Sequence, residues 1–136
     1  MDLNTYLHFS GNCEEAFKFY EKALGGKILA AMTYDTAPPD MPVSPEWRNK
    51  IMHARMTVGN QLLMGSDAPP DRYSKPTGFS INIGVKTAEE AERAFKALSE
   101  GGQVCMPMAE TFWAIRFGML TDKFGIPWMI NAEKPM

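Results

Sequence analysis

Two histidines, His8 and His53, carry the side-chain type that titrates near neutral pH without help from its surroundings. His53 suits proton transfer or hydrogen bonding in a cavity, and equally suits a half-buried ring bonded to a neighbouring strand. His8 admits the same pair of readings. Glu110 is a general base only if Phe112 and Trp113 desolvate it; a solvated rim carboxylate is the plainer alternative. Arg55 and Arg116 could clamp a carboxylate or phosphate in bidentate fashion, or pair internally with Glu110 or Asp122. Tyr6 could offer its hydroxyl to a ligand while its ring sits in the core. A metal centre would need His8, His53 and Glu110 to converge, although their spacing follows no ligand motif. HExxH, GxSxG, P-loop and CxxC patterns are absent from the sequence.

Charge and length narrow the field. The chain has 136 residues, with 14 Lys and Arg against 16 Asp and Glu, for a net charge of −2. No Lys/Arg run exists to displace counterions, so nucleic acid is not an expected partner. The apolar runs are strand-sized, far short of the ~20 residues that span a bilayer, so no membrane partner is expected either. Residues 1–20 show no basic start followed by an apolar segment, and no signal peptide is expected. Cys13 and Cys105 then read as reduced thiols of a cytoplasmic protein. A chain of this length supports one domain with a real core.

The elements that must position these side chains occur twice. Residues 12–26 (NCEEAFKFYEKALGG) and 87–102 (TAEEAERAFKALSEGG) share one helix design. Each begins with a cap residue followed three positions later by Glu, Asn12 with Glu15 and Thr87 with Glu90, which is capping-box spacing. Each ends in Gly-Gly, and each has apolar residues at helical intervals. Period-two alternation predicts strands at 3–9, 27–34, 50–58 and 61–64, then at 79–85, 103–108, 111–120 and 126–131. Gly59-Asn60 and Asp122–Gly125 read as turns. Each half is therefore βαβββ. Module 1 covers about 1–68, a linker with Pro69, Pro70 and Pro76 about 69–77, and module 2 about 78–136. Asp35–Trp47, with four prolines, reads as an irregular excursion or a lid.

One helix covers one face of each sheet. Pairing the halves then gives an α+β fold, a cupped eight-stranded mixed sheet with helices outside. The strand faces Asn4/Tyr6/His8, His53/Arg55/Thr57 and Ser80/Asn82/Gly84 would line the cup, a concave polar and apolar mixture of the kind small molecules favour. Methionines at 32, 52, 56, 64, 106, 108, 119 and 129 fall in or beside strands, where they fill cores or soften a cavity.

Three stretches carry a resemblance: YLHFSGNCEEAFKFY (6–20), HARM (53–56) and ETFWAIRFGMLTDKFGIPWMIN (110–131). They resemble the PhnB-like group of the vicinal oxygen chelate (glyoxalase/bleomycin resistance/dioxygenase) superfamily. The resemblance implies a homodimer and a small-molecule ligand in the cup. In metal-dependent members it also implies one divalent ion held by His and Glu from both modules. Carried onto this chain, the ligand positions fall at Asn4 or Thr5, His53, Ser80 and Met129, of which His53 alone is a good ligand. The expectation is a metal-free small-molecule-binding protein with no cofactor, whose site draws on Tyr6, His8, His53, Arg55, Ser80, Asn82, Glu110, Trp113 and Arg116. The alternatives are a metal-dependent isomerase, lyase or dioxygenase with displaced ligands, or an antibiotic-sequestering protein stacking its ligand on Trp47, Phe112 and Trp113. A demethylubiquinone methyltransferase, a name attached to the group, would need a glycine-rich cofactor loop after a strand, which the sequence lacks.

Overall fold

The computed structural model describes residues 1–38 and 43–135. The chain divides into two compact units, Met1–Ser74 and Lys75–Met136. The first holds β1 (Thr5–Phe9), α1 (Cys13–Leu24), β2 (Lys27–Thr33), β3 (Ile51–Val58) and β4 (Gln61–Asp67). The second holds β5 (Ile81–Val85), α2 (Ala88–Ser99), β6 (Gln103–Ala109), β7 (Ala114–Thr121) and β8 (Pro127–Glu133). Both are βαβββ, as the duplicated pattern predicts, and both are four-stranded mixed sheets. Their strand orders correspond, β1-β4-β3-β2 and β5-β8-β7-β6, with the first strand parallel to the last and the other pairs antiparallel.

The two helices begin differently. Thr87 caps α2 as its spacing predicts, accepting the Glu90 amide at 3.1 Å. Asn12 does not cap α1. Its backbone (φ −121°, ψ 26°) is not the extended form a cap residue adopts, and its side chain makes no capping bond. Asp67 of β4 does that work from across the sheet, accepting the Cys13 and Gly11 amides at 2.9 Å each. Both helices end as the Gly-Gly pairs predict. Gly25 (φ 67°) and Gly101 (φ 74°) take the left-handed turn. Gly26 and Gly102 then pass so close to β3 and β7 that a Cβ on either would strike a backbone carbonyl, Thr57 O at 2.7 Å for Gly26 and Thr121 O for Gly102.

Each helix buries its apolar stripe on one side of its own sheet. Leu7, Phe9, Ala16, Phe17, Tyr20 and Met56 form the first core; Ala91, Leu98, Leu120, Ile126, Trp128 and Ile130 form the second. Leu3 and Phe79, expected on packed faces, lie outside their strands and are exposed, because β1 and β5 begin two residues later than alternation suggests. Conversely β4 runs three residues past Met64, since parallel pairing with β1 continues to Phe9 and Asp67. β7 starts at Ala114 rather than at 111 because Thr111 closes a turn: its amide donates to Ala114 O, and its hydroxyl accepts the Ala114 amide, both at 3.0 Å. The Pro-rich segment carries two 3₁₀ turns, Tyr34–Thr36 and Pro45–Trp47. Its lid reading falls partly on residues 39–42, outside the described residues. Among the described residues no helix is long and apolar enough to cross a membrane.

Candidate functional site

The helix-free face of module 1 gathers four of the expected residues. Alternation turns Leu7 and Phe9 into the core and leaves Tyr6 and His8 on the opposite face. Tyr6 aligns with Met64, and Met64 with Arg55, so these three form one row across β1, β4 and β3. In the neighbouring positions His8 aligns with Ser66, and His53 with Met32 of β2. The Tyr6 ring stands at 5.1 Å from that of His8 and 5.9 Å from that of His53, centroid to centroid, tilted in both cases. Its hydroxyl lies 3.5 Å from His53 Nδ1, at the outer limit of a hydrogen bond. Tyr6 (38%) and Arg55 are exposed and His53 half-buried. Arg55 makes no ion pair among the described residues. Met64 is one of the strand methionines expected to fill a core or soften a cavity, whereas Ser66 is reached only by extending the β4 alternation two residues beyond Met64.

Module 2 disposes of its candidates separately. Arg116 pairs with Glu92 of α2 at 3.3 Å and donates to Ile115 O at 2.8 Å, so its guanidinium serves the helix–sheet seam. Neither internal partner expected for it, Glu110 or Asp122, is the one it ion-pairs with. Glu110 bonds Lys134 at 2.9 Å and stays exposed. The hydrogen bond from Lys134, and then its charge, hold the Glu110 carboxyl below the ordinary carboxylate range. That is the reverse of what a general base raised by desolvation requires. Trp113 stacks edge-on with Phe112 (4.8 Å) and Phe117 (5.2 Å), whereas Trp47 packs against Tyr34 in module 1. Asn82 is exposed beside Met129 on β8, and Ser80 lies just before β5.

Two buried carboxylates and one thiol were not singled out from the sequence as structural centres. Asp67 accepts three amides, from Gly11, Cys13 and Ile51. Asp122 accepts the Phe124 and Ile126 amides and the Trp128 indole N–H. Burial, reinforced by the negative charges of Asp67 and Glu14, pushes the Cys13 thiol far above its ordinary range. It is a packed thiol, not a nucleophile. A cavity of about 190 Å³ opens at the start of α1 beside Gly11, Asn12, Lys50 and Asp67. Two of its polar groups are already engaged: Asp67 by the amides above, Lys50 by Gly11 O at 2.9 Å.

A divalent ion needs three or four converging N or O donors. Among the described residues no three of His, Cys, Asp and Glu are placed to hold one. Of the positions carried over from the metal-dependent proteins, His53 lies half-buried on β3 and Met129 on β8, Thr5 opens β1, and Asn4 and Ser80 precede β1 and β5. One imidazole with a thioether, a hydroxyl and an amide or second hydroxyl does not make a hard-cation site. The donor set does not fit the ion of the metal-dependent proteins.

The family model described as 3-demethylubiquinone-9 3-methyltransferase matches residues 1–131. Protein YjdN of Escherichia coli K12 is 36% identical over 98% of this chain and 97% of its own. The crystal structure of PA1353 from Pseudomonas aeruginosa is 46% identical, with a TM-score of 0.88 and 99% of both chains covered. A Bacillus cereus PhnB protein is 26% identical, with a TM-score of 0.79 over 96% of this chain and 98% of that one. At 9% identity the fold alone extends to the fosfomycin resistance protein FosX of Listeria monocytogenes, with a TM-score of 0.67 over 96% of this chain and 90% of that one.

Proposed function

Because this chain belongs to the 3-demethylubiquinone-9 3-methyltransferase family, within the PhnB-like group of vicinal oxygen chelate proteins, we propose that it binds a small organic molecule on the helix-free face of module 1 without using a metal. The observation that carries this is the Tyr6, His8 and His53 ring cluster beside an Arg55 that makes no ion pair among the described residues. The methyl transfer in the family's description is not part of this reading. The Gly11 and Cys13 amides at the β1–α1 junction, which a cofactor loop would leave free, are occupied by Asp67. The manganese ion in the FosX complex belongs to that protein, and a donor set like the present one does not call for it.

The test is a thermal-shift screen of small organic acids and neutral aromatics. Stabilisation follows RT ln(1 + [L]/Kd), about 2.7 kcal/mol at 100 times Kd. Hits should lose most of their stabilisation in Arg55→Gln and in a Tyr6→Leu, His53→Ala double variant. Hits indifferent to all three changes would place binding elsewhere. A stoichiometric metal ion lost on His53→Ala would remove the metal-free part of the reading.

A second copy of the chain is part of the same proposal. The outer strands expose apolar side chains, Leu29 and Met32 on β2, Val104 and Met106 on β6. Unpaired edges of that kind are normally covered. Sedimentation at micromolar concentration should give twice the 15.2 kDa chain mass, and a monomer under those conditions would contradict it.

A further inference from the structure

We infer that the module 1 face takes a planar aromatic carboxylate, an inference that rests on the binding reading above. Tyr6 and Arg55 flank Met64 in one row, on β1 and β3 to either side of β4. Two strand spacings, about 10 Å, separate their backbones, and the Tyr6 side chain leans across that interval, its hydroxyl 3.5 Å from His53 Nδ1 on β3. The Met64 thioether forms the floor, and sulfur against an aromatic ring is a favourable contact. Tyr6, His8 and His53 stand tilted to one another at 5.1 and 5.9 Å, a wall that offers ring edges and faces to a further ring.

Charge selects the other end of the ligand. Among the described residues the guanidinium of Arg55 has no ion-pair partner, and a carboxylate matches its planar fork of N–H donors in two parallel bonds. The rows around it hold no acidic residue: Tyr6, Met64, Arg55 and Ala30 in one, His8 and Ser66, and His53 and Met32, beside it. Asp67, next along β4, is turned into the module, where it accepts backbone amides. The next aligned pair on the β2 side, Lys27 with Thr57, adds a second cation rather than an anion. One fork and a flat apolar floor favour a flat monoanion over tetrahedral phosphate.

Isothermal titration of the full chain with four probes tests this: benzoate, benzamide, cyclohexanecarboxylate and inorganic phosphate. Benzoate is expected to bind at least tenfold more tightly than either organic analogue, and more tightly than phosphate. Arg55→Gln should weaken benzoate at least tenfold, with Arg55→Lys intermediate because it keeps the charge and loses the fork. Arg55 is exposed, so these variants are expected to melt as the unsubstituted chain does. Equal binding of benzamide, or benzoate binding indifferent to Arg55→Gln, would overturn the inference. If phosphate or a neutral compound binds in a way that Tyr6→Leu abolishes, the face remains a binding site and only the ligand class falls. Failure of every probe here, and of every compound in the wider screen, would sink both.

Discussion

Asp67→Ala should destabilise the chain by about 3–5 kcal/mol, enough to remove a large part of the 5–15 kcal/mol typical of a domain. The side chain is 1% exposed and its two oxygens accept three amides: Gly11 and Cys13 on Oδ1 at 2.9 Å, Ile51 on Oδ2 at 2.8 Å. These amides open α1 and β3, while Asp67 itself closes β4. Removing the carboxylate leaves three donors without acceptors at one point, two of them in buried bonds, and a buried unmade bond costs about 1–3 kcal/mol. Asn12, the residue sequence spacing nominates as the cap, makes no capping bond that already shares this load. Urea denaturation should show the loss in midpoint with little change in slope, and melting should fall by roughly 10–20 °C. Asp67→Asn keeps one acceptor oxygen and should lose about half as much. A loss under about 1 kcal/mol for Asp67→Ala would show that solvent or a shifted Asn12 takes over the junction.

The same junction explains what could and could not be read along the chain. The duplication was legible because it is written in local signals: Thr87 caps its own helix, Gly25 and Gly101 turn out of theirs, and alternation marks the strands. Asn12-x-x-Glu15 carries the same local signal, yet the bond goes to a residue 54 positions away from Cys13. Register decides this, since β4 must continue to Asp67 opposite Phe9 before its carboxylate can reach the helix start. Spacing contains no information about that.

The candidate site divides along the same line. Tyr6, His8, His53 and Arg55 share a face because period-two geometry puts them there, so pattern alone could assemble them. Arg116 could not be assigned in this way. Gly118, two residues on, would drive a Cβ into Phe95 of α2, which identifies the helix side of β7 and puts Arg116 on it. Only three-dimensional packing reveals that its partner is Glu92. For Glu110, Phe112 and Trp113 beside it left a desolvated base open against the plainer solvated carboxylate; Phe112 is 89% exposed and Lys134 takes the carboxylate, so the plainer reading holds. Residue neighbours along a chain do not say which side of a turn meets water.

Asp122 gives module 2 its own version of the buried tie, and its removal is the second large effect. The side chain is 3% exposed. Oδ1 accepts the Phe124 amide at 2.8 Å and the Ile126 amide at 3.0 Å, closing the turn between β7 and β8. Oδ2 accepts Trp128 Nε1 at 2.8 Å, fixing the largest buried side chain of the module. Asp122→Ala should therefore cost about 3–4 kcal/mol and shift Trp128 fluorescence, because the indole N–H loses a charged acceptor in an apolar setting. Trp128→Phe alone mixes that loss with the smaller ring's packing defect, so the informative quantity is the coupling between the two sites. In a double-mutant cycle of Asp122→Ala with Trp128→Phe, a coupling of about 1–2 kcal/mol is expected for the indole–carboxylate bond, with the remainder of the Asp122 loss assigned to the two amides. A coupling indistinguishable from zero would mean that Asp122 acts through the turn alone and that packing, not this hydrogen bond, holds Trp128 in place.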